Sequence, residues 1–237
     1  MKARTYYADT RPLEEPSVYS ALYRRMPARR KEKADRFLFP KDRRLCVGAW
    51  ALLRRALEDL GEDPDEIVIE AGSGGKPFLE GSWVSFNLSH SEERVACSVS
   101  DTDVGCDVEP VIYAGLDMAK AFFHGSEYDD IAAAQSAGGT PELFCRYWTL
   151  KESFMKATGL GMSLPLDSFR IDLGDQIRVD QRVDGREYRF KEYDPSDGYR
   201  CAVCSAGGGF EPSLRLTDLS DLARNRTIYR TTAMRST

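Results

Sequence analysis

The chain has 237 residues, of which 42% are hydrophobic and 30% charged, enough apolar content to bury a substantial core in one large domain or two small ones. Its longest apolar run, Val47 to Leu53, is too short to span a bilayer, and the opening MKARTYYADTRP has no apolar signal core. With a net charge of −5 and no recognisable nucleic-acid-binding motif, the expectation is a cytoplasmic protein with neither a membrane nor a nucleic-acid partner.

The charge is unevenly spread. Between Arg24 and Arg44 ten Lys/Arg face three Asp/Glu, whereas Asp101 to Asp130 holds eight acids and one Lys. A basic stretch and an acidic stretch in one chain suit a polyanion at the first and a divalent cation at the second, although either alone reads as a solvated face. A helix is predicted over 43–60, with Leu45, Ala49, Leu52, Leu53, Ala56 and Leu60 at helical spacing and Gly61 as a stop. A strand over 66–70 leads into a Gly-rich turn ending in Gly75-Lys76-Pro77. Strands over 83–88, 94–100 and 104–108 should then form a meander.

Within the last of these, Val104, Cys106 and Val108 alternate with Gly105, Asp107 and Glu109. A strand therefore sends both carboxylates to one face, where a hard divalent ion could bind them. On its own the pattern fits an exposed edge better. The loop side of 83–91, Ser89-His90-Ser91, offers hydroxyls, N–H groups and an imidazole to an anion, or simply closes a turn.

The second half repeats the theme: a helix over 141–158, a Gly159-Leu160-Gly161 break, and strands over 169–173, 176–181, 188–193 and 199–204. In that helix Glu152 and Lys156 lie four apart and share a face, which by itself is an ordinary salt bridge. Cys201 and Cys204 form a CxxC, but on a strand positions three apart face opposite ways, so core thiols are expected rather than a metal site. Residues 223–237 carry four Arg and no acid and read as a disordered tail.

Taken together, Gly75-Lys76-Pro77, then Phe86-Asn87-Leu88-Ser89-His90-Ser91, then Gly105-Cys106-Asp107-Val108-Glu109, then Trp148-Thr149-Leu150-Lys151-Glu152-Ser153-Phe154-Met155-Lys156 resemble the Sfp-type family of 4′-phosphopantetheinyl transferases over about residues 5 to 205. The resemblance implies an α+β fold of two similar halves related by a pseudo-twofold axis, here 1–103 and 104–222, acting as a monomer. It implies transfer of the phosphopantetheine arm of coenzyme A to a serine of an apo acyl or peptidyl carrier protein, with release of 3′,5′-ADP. The alternative is a non-catalytic adaptor that binds coenzyme A or a carrier protein.

By the same resemblance Asp107, Glu109 and Glu152 hold Mg²⁺, while Lys156 and Lys151 contact the coenzyme A phosphates. Arg44, Lys76, Ser89 and His90, with Arg30 and Lys33, take the nucleotide end. Glu152 or Glu127 is the base for the carrier serine.

Overall fold

The computed structural model describes residues 1–72, 74–112, 116–135 and 140–224. The predicted tail therefore lies almost wholly outside the described residues.

The first half opens with β1 (Arg4–Asp9), followed by helices α1 (Pro16–Arg24), α2 (Ala28–Asp35) and α3 (Pro40–Glu58). A short hairpin of β2 (Ile69–Ala71) and β3 (Pro77–Leu79) precedes β4 (Ser85–Ser91) and β5 (Arg94–Ser100). Helix α3 starts at Pro40, whose fixed φ suits a first helical turn, three residues before the predicted boundary. Its Val47, Trp50, Leu52, Leu53, Ala56 and Leu57 are buried, forming a core with Tyr6, Phe86, Val95, Cys97 and Val99 from the sheet. Trp50 and the two leucines at 52 and 53 are each 1% exposed or less, burial worth roughly 1.5–3 kcal/mol for each aliphatic side chain.

The second half runs through β6 (Val104–Pro110), α4 (Leu116–Phe122), α5 (Gly125–Gln135) and α6 (Thr140–Thr158). Hairpin strands β7 (Arg170–Asp172) and β8 (Arg178–Asp180) come next, then β9 (Tyr188–Tyr193) and β10 (Tyr199–Ala206). The chain ends with β11 (Arg215–Leu216) and α7 (Leu219–Arg224). Both halves follow one plan, a 19-residue helix laid on an antiparallel sheet. The CxxC lies on β10 as expected. Cys201 and Cys204 are free, and they face two different cores.

Three expectations need correction. First, β6 does not extend the first meander. The sheets are β11-β1-β5-β4 and β6-β10-β9, and β6 pairs with β10 from Val104↔Ser205 to Pro110↔Tyr199. It still runs beside β4, joined through side chains: the Cys106 N–H donates to Asn87 Oδ1 at 2.9 Å and the Val108 N–H to Ser89 Oγ at 3.4 Å. The two halves thus meet along β4 and β6.

Second, the second half does not keep residues 215–222. Strand β11 pairs in parallel with β1, and Leu219 of α7 is fully buried in the first half's core. Third, the ordered chain passes Leu222. The Arg25 guanidinium donates to the carbonyls of Leu222 (2.7 Å) and Ala223 (3.1 Å), so the last turn of α7 is anchored.

Helix α6 crosses β6 closely at Gly105. A Cβ there would strike the Ser153 carbonyl oxygen and the Ala157 amide nitrogen, so only glycine lets strand and helix approach this far. That contact sets the distance between the Asp107 strand and the Glu152 helix.

Candidate active site

Strand β4, strand β6 and helix α6 each contribute one wall of a cleft of about 360 Å³, lined by Leu88, Ser89, His90, Asp107, Glu109, Trp148, Glu152 and Lys156. Local structure explains the selection. On β6, alternation commits Val104, Cys106 and Val108 to a core and turns Asp107 and Glu109 to the other face. On α6, Trp148, Glu152 and Lys156 recur every four residues and form one stripe. Tyr147, Leu150 and Phe154 face the core instead.

Asp107 lines the cleft and is 2% exposed. Its Oδ1 accepts from Lys156 Nζ at 2.6 Å and from Ser89 Oγ at 2.9 Å. Its Oδ2 is buried and has no hydrogen-bond partner. A buried carboxylate oxygen left bare costs roughly 1–3 kcal/mol or more, so this atom is aimed at something the chain does not supply. Glu109 accepts from Ser91 Oγ. Burial, and then the Asp107 charge, push the Glu109 carboxyl up to about 7. Burial likewise raises Glu152, with Asp107 adding to it. Burial works against the Lys156 ammonium, but Asp107 outweighs it and holds Lys156 above the usual lysine range.

The cleft therefore holds more negative charge than its one ammonium offsets, and a hard cation with phosphate oxygens would relieve it. Among the described residues no three carboxylate, imidazole or thiol side chains close on a single point as a finished metal cage. Magnesium does not need one, since it keeps several waters and shares its remaining positions with substrate phosphates. The bare Asp107 Oδ2 and the raised Glu109 and Glu152 carboxyls fit such an ion.

His90 stands at the rim. Burial against the cleft wall, and then the Lys156 ammonium, lower its imidazole below the usual range, and Lys33 acts in the same direction. Lys33 also lines a second, larger groove of about 740 Å³ with Arg29, Arg30, Arg36, Trp50 and Pro77. Arg30 lies over the Trp50 ring, 5.6 Å from its centroid. The Arg30 Nε and the Trp50 indole N–H are both buried without a hydrogen-bond partner. Basic, part apolar, and carrying two unsatisfied donors, this groove suits an anionic ligand with a flat ring.

Four expected site residues are not where the sequence reading put them. Lys151 is fully buried on the core side of α6. Its Nζ lies 2.9 Å from Glu127 Oε2 and donates to the carbonyls of Leu166 and Phe169, each at 2.7 Å. One residue along a helix rotates a side chain by about 100°, so Lys151 and Glu152 cannot both face the cleft. Glu127 is 1% exposed, and its two oxygens accept from Lys151 and from the N–H groups of His124 and Ile171. It has no route to a substrate. Arg44 pairs with Glu14 (3.2 Å) and Glu93 (3.8 Å), away from the groove that holds Arg30 and Lys33. The Lys76 ammonium donates to the Val104 and Ala157 carbonyls, not into either pocket.

Comparison with known proteins agrees with this architecture. Residues 103–204 match the family model described as the 4′-phosphopantetheinyl transferase superfamily, and residues 12–102 match one described as 4′-phosphopantetheinyl transferase, N-terminal. A 4′-phosphopantetheinyl transferase of Bacillus subtilis is 34% identical over 229 residues, covering 94% of this chain and all of the relative. The 4′-phosphopantetheinyl transferase Sfp of Bacillus subtilis strain 168 is 30% identical over 226 residues, again with 94% and 100% coverage. The 4′-phosphopantetheinyl transferase HetI of a Nostoc species is 31% identical over 210 residues, covering 85% of this chain and 87% of its own. The cleft draws its walls from both matched segments, and the chain belongs to the 4′-phosphopantetheinyl transferase superfamily.

Proposed function

We propose that the protein transfers the 4′-phosphopantetheine group of coenzyme A to the acceptor serine of an apo acyl or peptidyl carrier protein, releasing 3′,5′-ADP, and that it works as a monomer. The observation that carries this reading is the bare, buried Asp107 Oδ2 beside Glu109, Glu152 and Lys156 in a family member. In an adaptor without catalysis, nothing would maintain that arrangement of uncompensated carboxylates.

Asp107, Glu109 and Glu152 would hold Mg²⁺, which when bound neutralises charge on the pyrophosphate of coenzyme A. Lys156, fixed by Asp107 and Ser89, lies beside these carboxylates and would stabilise charge on the same phosphates. Ser89 and His90 line the cleft, and the Lys33 charge reaches His90, so they would meet the nucleotide end together with Arg30 and Lys33. Trp148 stacks on Phe144, with ring centroids 5.9 Å apart, and gives the cleft an apolar wall for the pantetheine arm. With Glu127 held inside the core, Glu152 is the carboxylate left to receive the serine proton.

The test is mass spectrometry of apo acyl and peptidyl carriers incubated with the protein, coenzyme A and Mg²⁺. Addition of one phosphopantetheine at serine is the expected result. Carriers that stay unmodified while coenzyme A binds would favour the adaptor.

A further inference from the structure

The lysine of the Gly75-Lys76-Pro77 turn is half-buried at the junction of the two halves. Its Nζ donates to the Val104 carbonyl at 3.0 Å and to the Ala157 carbonyl at 3.1 Å, and its third side faces Asp103 Oδ1 at 4.0 Å. Two of its three donors are thus spent on backbone carbonyls, and the third side faces a carboxylate of the protein. Val104 begins β6, three residues before Asp107. Ala157 lies in the last turn of α6, next to Lys156. The last carbonyls of a helix have no partner within it, and a cation there is favoured by the helix dipole as well.

The surroundings are shaped for this contact. Gly159 has φ +76, and its space is filled by the Lys76 stem, with Cδ 3.6 Å from where a Cβ would stand. A Cβ at Gly74 would strike the Gly159 carbonyl oxygen, so the turn before Lys76 rests directly on the break after α6. The same turn continues into Pro77, which lines the basic groove.

Building on the transferase reading above, we infer that Lys76 is a positioning residue: it ties the end of α6 to the start of β6 and so fixes Lys156 against Asp107. It acts through backbone carbonyls and touches no phosphate. The Lys156–Asp107 pair sits within three residues of each tied carbonyl, so freeing the last turn of α6 moves the ammonium that faces the reacting phosphates.

The experiment compares Lys76→Met and Lys76→Arg with wild type. An Asp59→Asn variant, altered at the far edge of the first half, serves as a stability control. For Lys76→Met we expect kcat for carrier loading to fall at least tenfold. Its Kd for coenzyme A, and its preference for coenzyme A over dephospho-coenzyme A, should stay within threefold of wild type. Lys76→Arg, which keeps donors for both carbonyls, should restore kcat to within threefold. Asp59→Asn should keep kcat even where its Tm falls as far. Hydrogen exchange should quicken at the amides of residues 155–159 in Lys76→Met, a readout independent of any activity.

A kcat within threefold of wild type, a lost preference against dephospho-coenzyme A, or unchanged exchange at 155–159 would each overturn the inference. Should Lys76→Met fail to fold, Gly74→Ala carries the test. It displaces the turn from Gly159 while keeping the ammonium, and an undiminished kcat there overturns the inference equally. A wild-type protein that loads no carrier would instead refute the transferase reading and leave the exchange result to judge the clasp.

Discussion

Replacing Glu127 by glutamine separates a structural role from a chemical one. In the folded protein the Glu127–Lys151 pair is closed off from water, at 1% and 0% exposure, with 2.9 Å between the charges. Glutamine would leave the Lys151 ammonium with two carbonyl acceptors but no counter-charge, inside a shell made by Phe123 and Phe169. Burial already lowers the Lys151 ammonium from its ordinary range despite Glu127, so without that carboxylate it falls further. Breaking a buried pair on one side costs about 3–5 kcal/mol. For a chain of this size that is a drop in Tm of roughly 6–20 °C.

Because the pair holds α5 and the strand at Ile171 against α6 rather than reaching the cleft, kcat measured well below the new Tm should remain within about fivefold of wild type. Lys151→Met should be similarly destabilised. The double variant Glu127→Gln/Lys151→Met should recover a large part of the loss, because no charge is then left unpaired. Thermal denaturation by circular dichroism and carrier loading at low temperature measure the two quantities. A Tm within 2 °C of wild type together with a kcat loss beyond a hundredfold would refute the placement of Glu127 in the core and return it to the chemistry.

Four further outcomes follow from the two pockets, Arg44 and the chain end. Asp107→Asn should cut carrier loading by about a hundredfold or more while coenzyme A affinity, by calorimetry, changes less than tenfold, since the basic groove proposed to take the nucleotide is built from other residues; near-normal loading would remove Asp107 from the reaction. Arg30→Ala or Lys33→Ala should each weaken coenzyme A by about tenfold, a charge-assisted contact being worth roughly 1.5–3 kcal/mol, with little change for dephospho-coenzyme A. Arg44→Ala, already paired to Glu14 and Glu93, should leave both affinities within twofold. Ending the chain at Arg224 should preserve Tm, whereas ending it at Asp218 removes the buried Leu219 and the carbonyls that receive Arg25, and should lower Tm by several degrees; equal melting of the two truncations would argue against a structural α7.

How far the sequence carried the fold depended on whether a segment's signal was local. Strands 94–100 and 188–193 fall on the predicted residues, and α6 within one residue at its start, because alternation or helical periodicity marks each without help from elsewhere. What Val104 to Pro110 pairs with is not local. The DxE strand was legible as a strand with two carboxylates on one face, but its partner, β10, lies about ninety residues on, and nothing in Val104-Gly105-Cys106 distinguishes it from a third meander strand. The same holds for β11 and α7, two short segments that take their structure from distant partners, β1 for the strand and α1 and α3 for the helix. The unpredicted β1, Arg4-Thr5-Tyr6-Tyr7-Ala8-Asp9, has no clean alternation to show, because four consecutive residues from Thr5 to Ala8 are buried, flanked by sheet on both edges and core on both faces.

The site residues divide by a finer rule: a motif states which residues are present, whereas the cleft depends on where each one points. Helical geometry alone places Trp148, Glu152 and Lys156 on one stripe and Lys151 a hundred degrees away beside Tyr147 and Phe154, so the burial of Lys151 was readable in its spacing. Glu127 follows from Lys151, since a buried ammonium requires a carboxylate and the acidic α5 is the neighbouring element. For Lys76 no such reading existed, because its two acceptors lie 28 and 81 residues away and are backbone atoms, which carry no mark in a sequence. Lysines in a phosphate-binding family invite assignment to phosphate by charge. Of the three that the motifs offered, Lys76, Lys151 and Lys156, only Lys156 reaches the cleft, and the other two hold the helix that carries it.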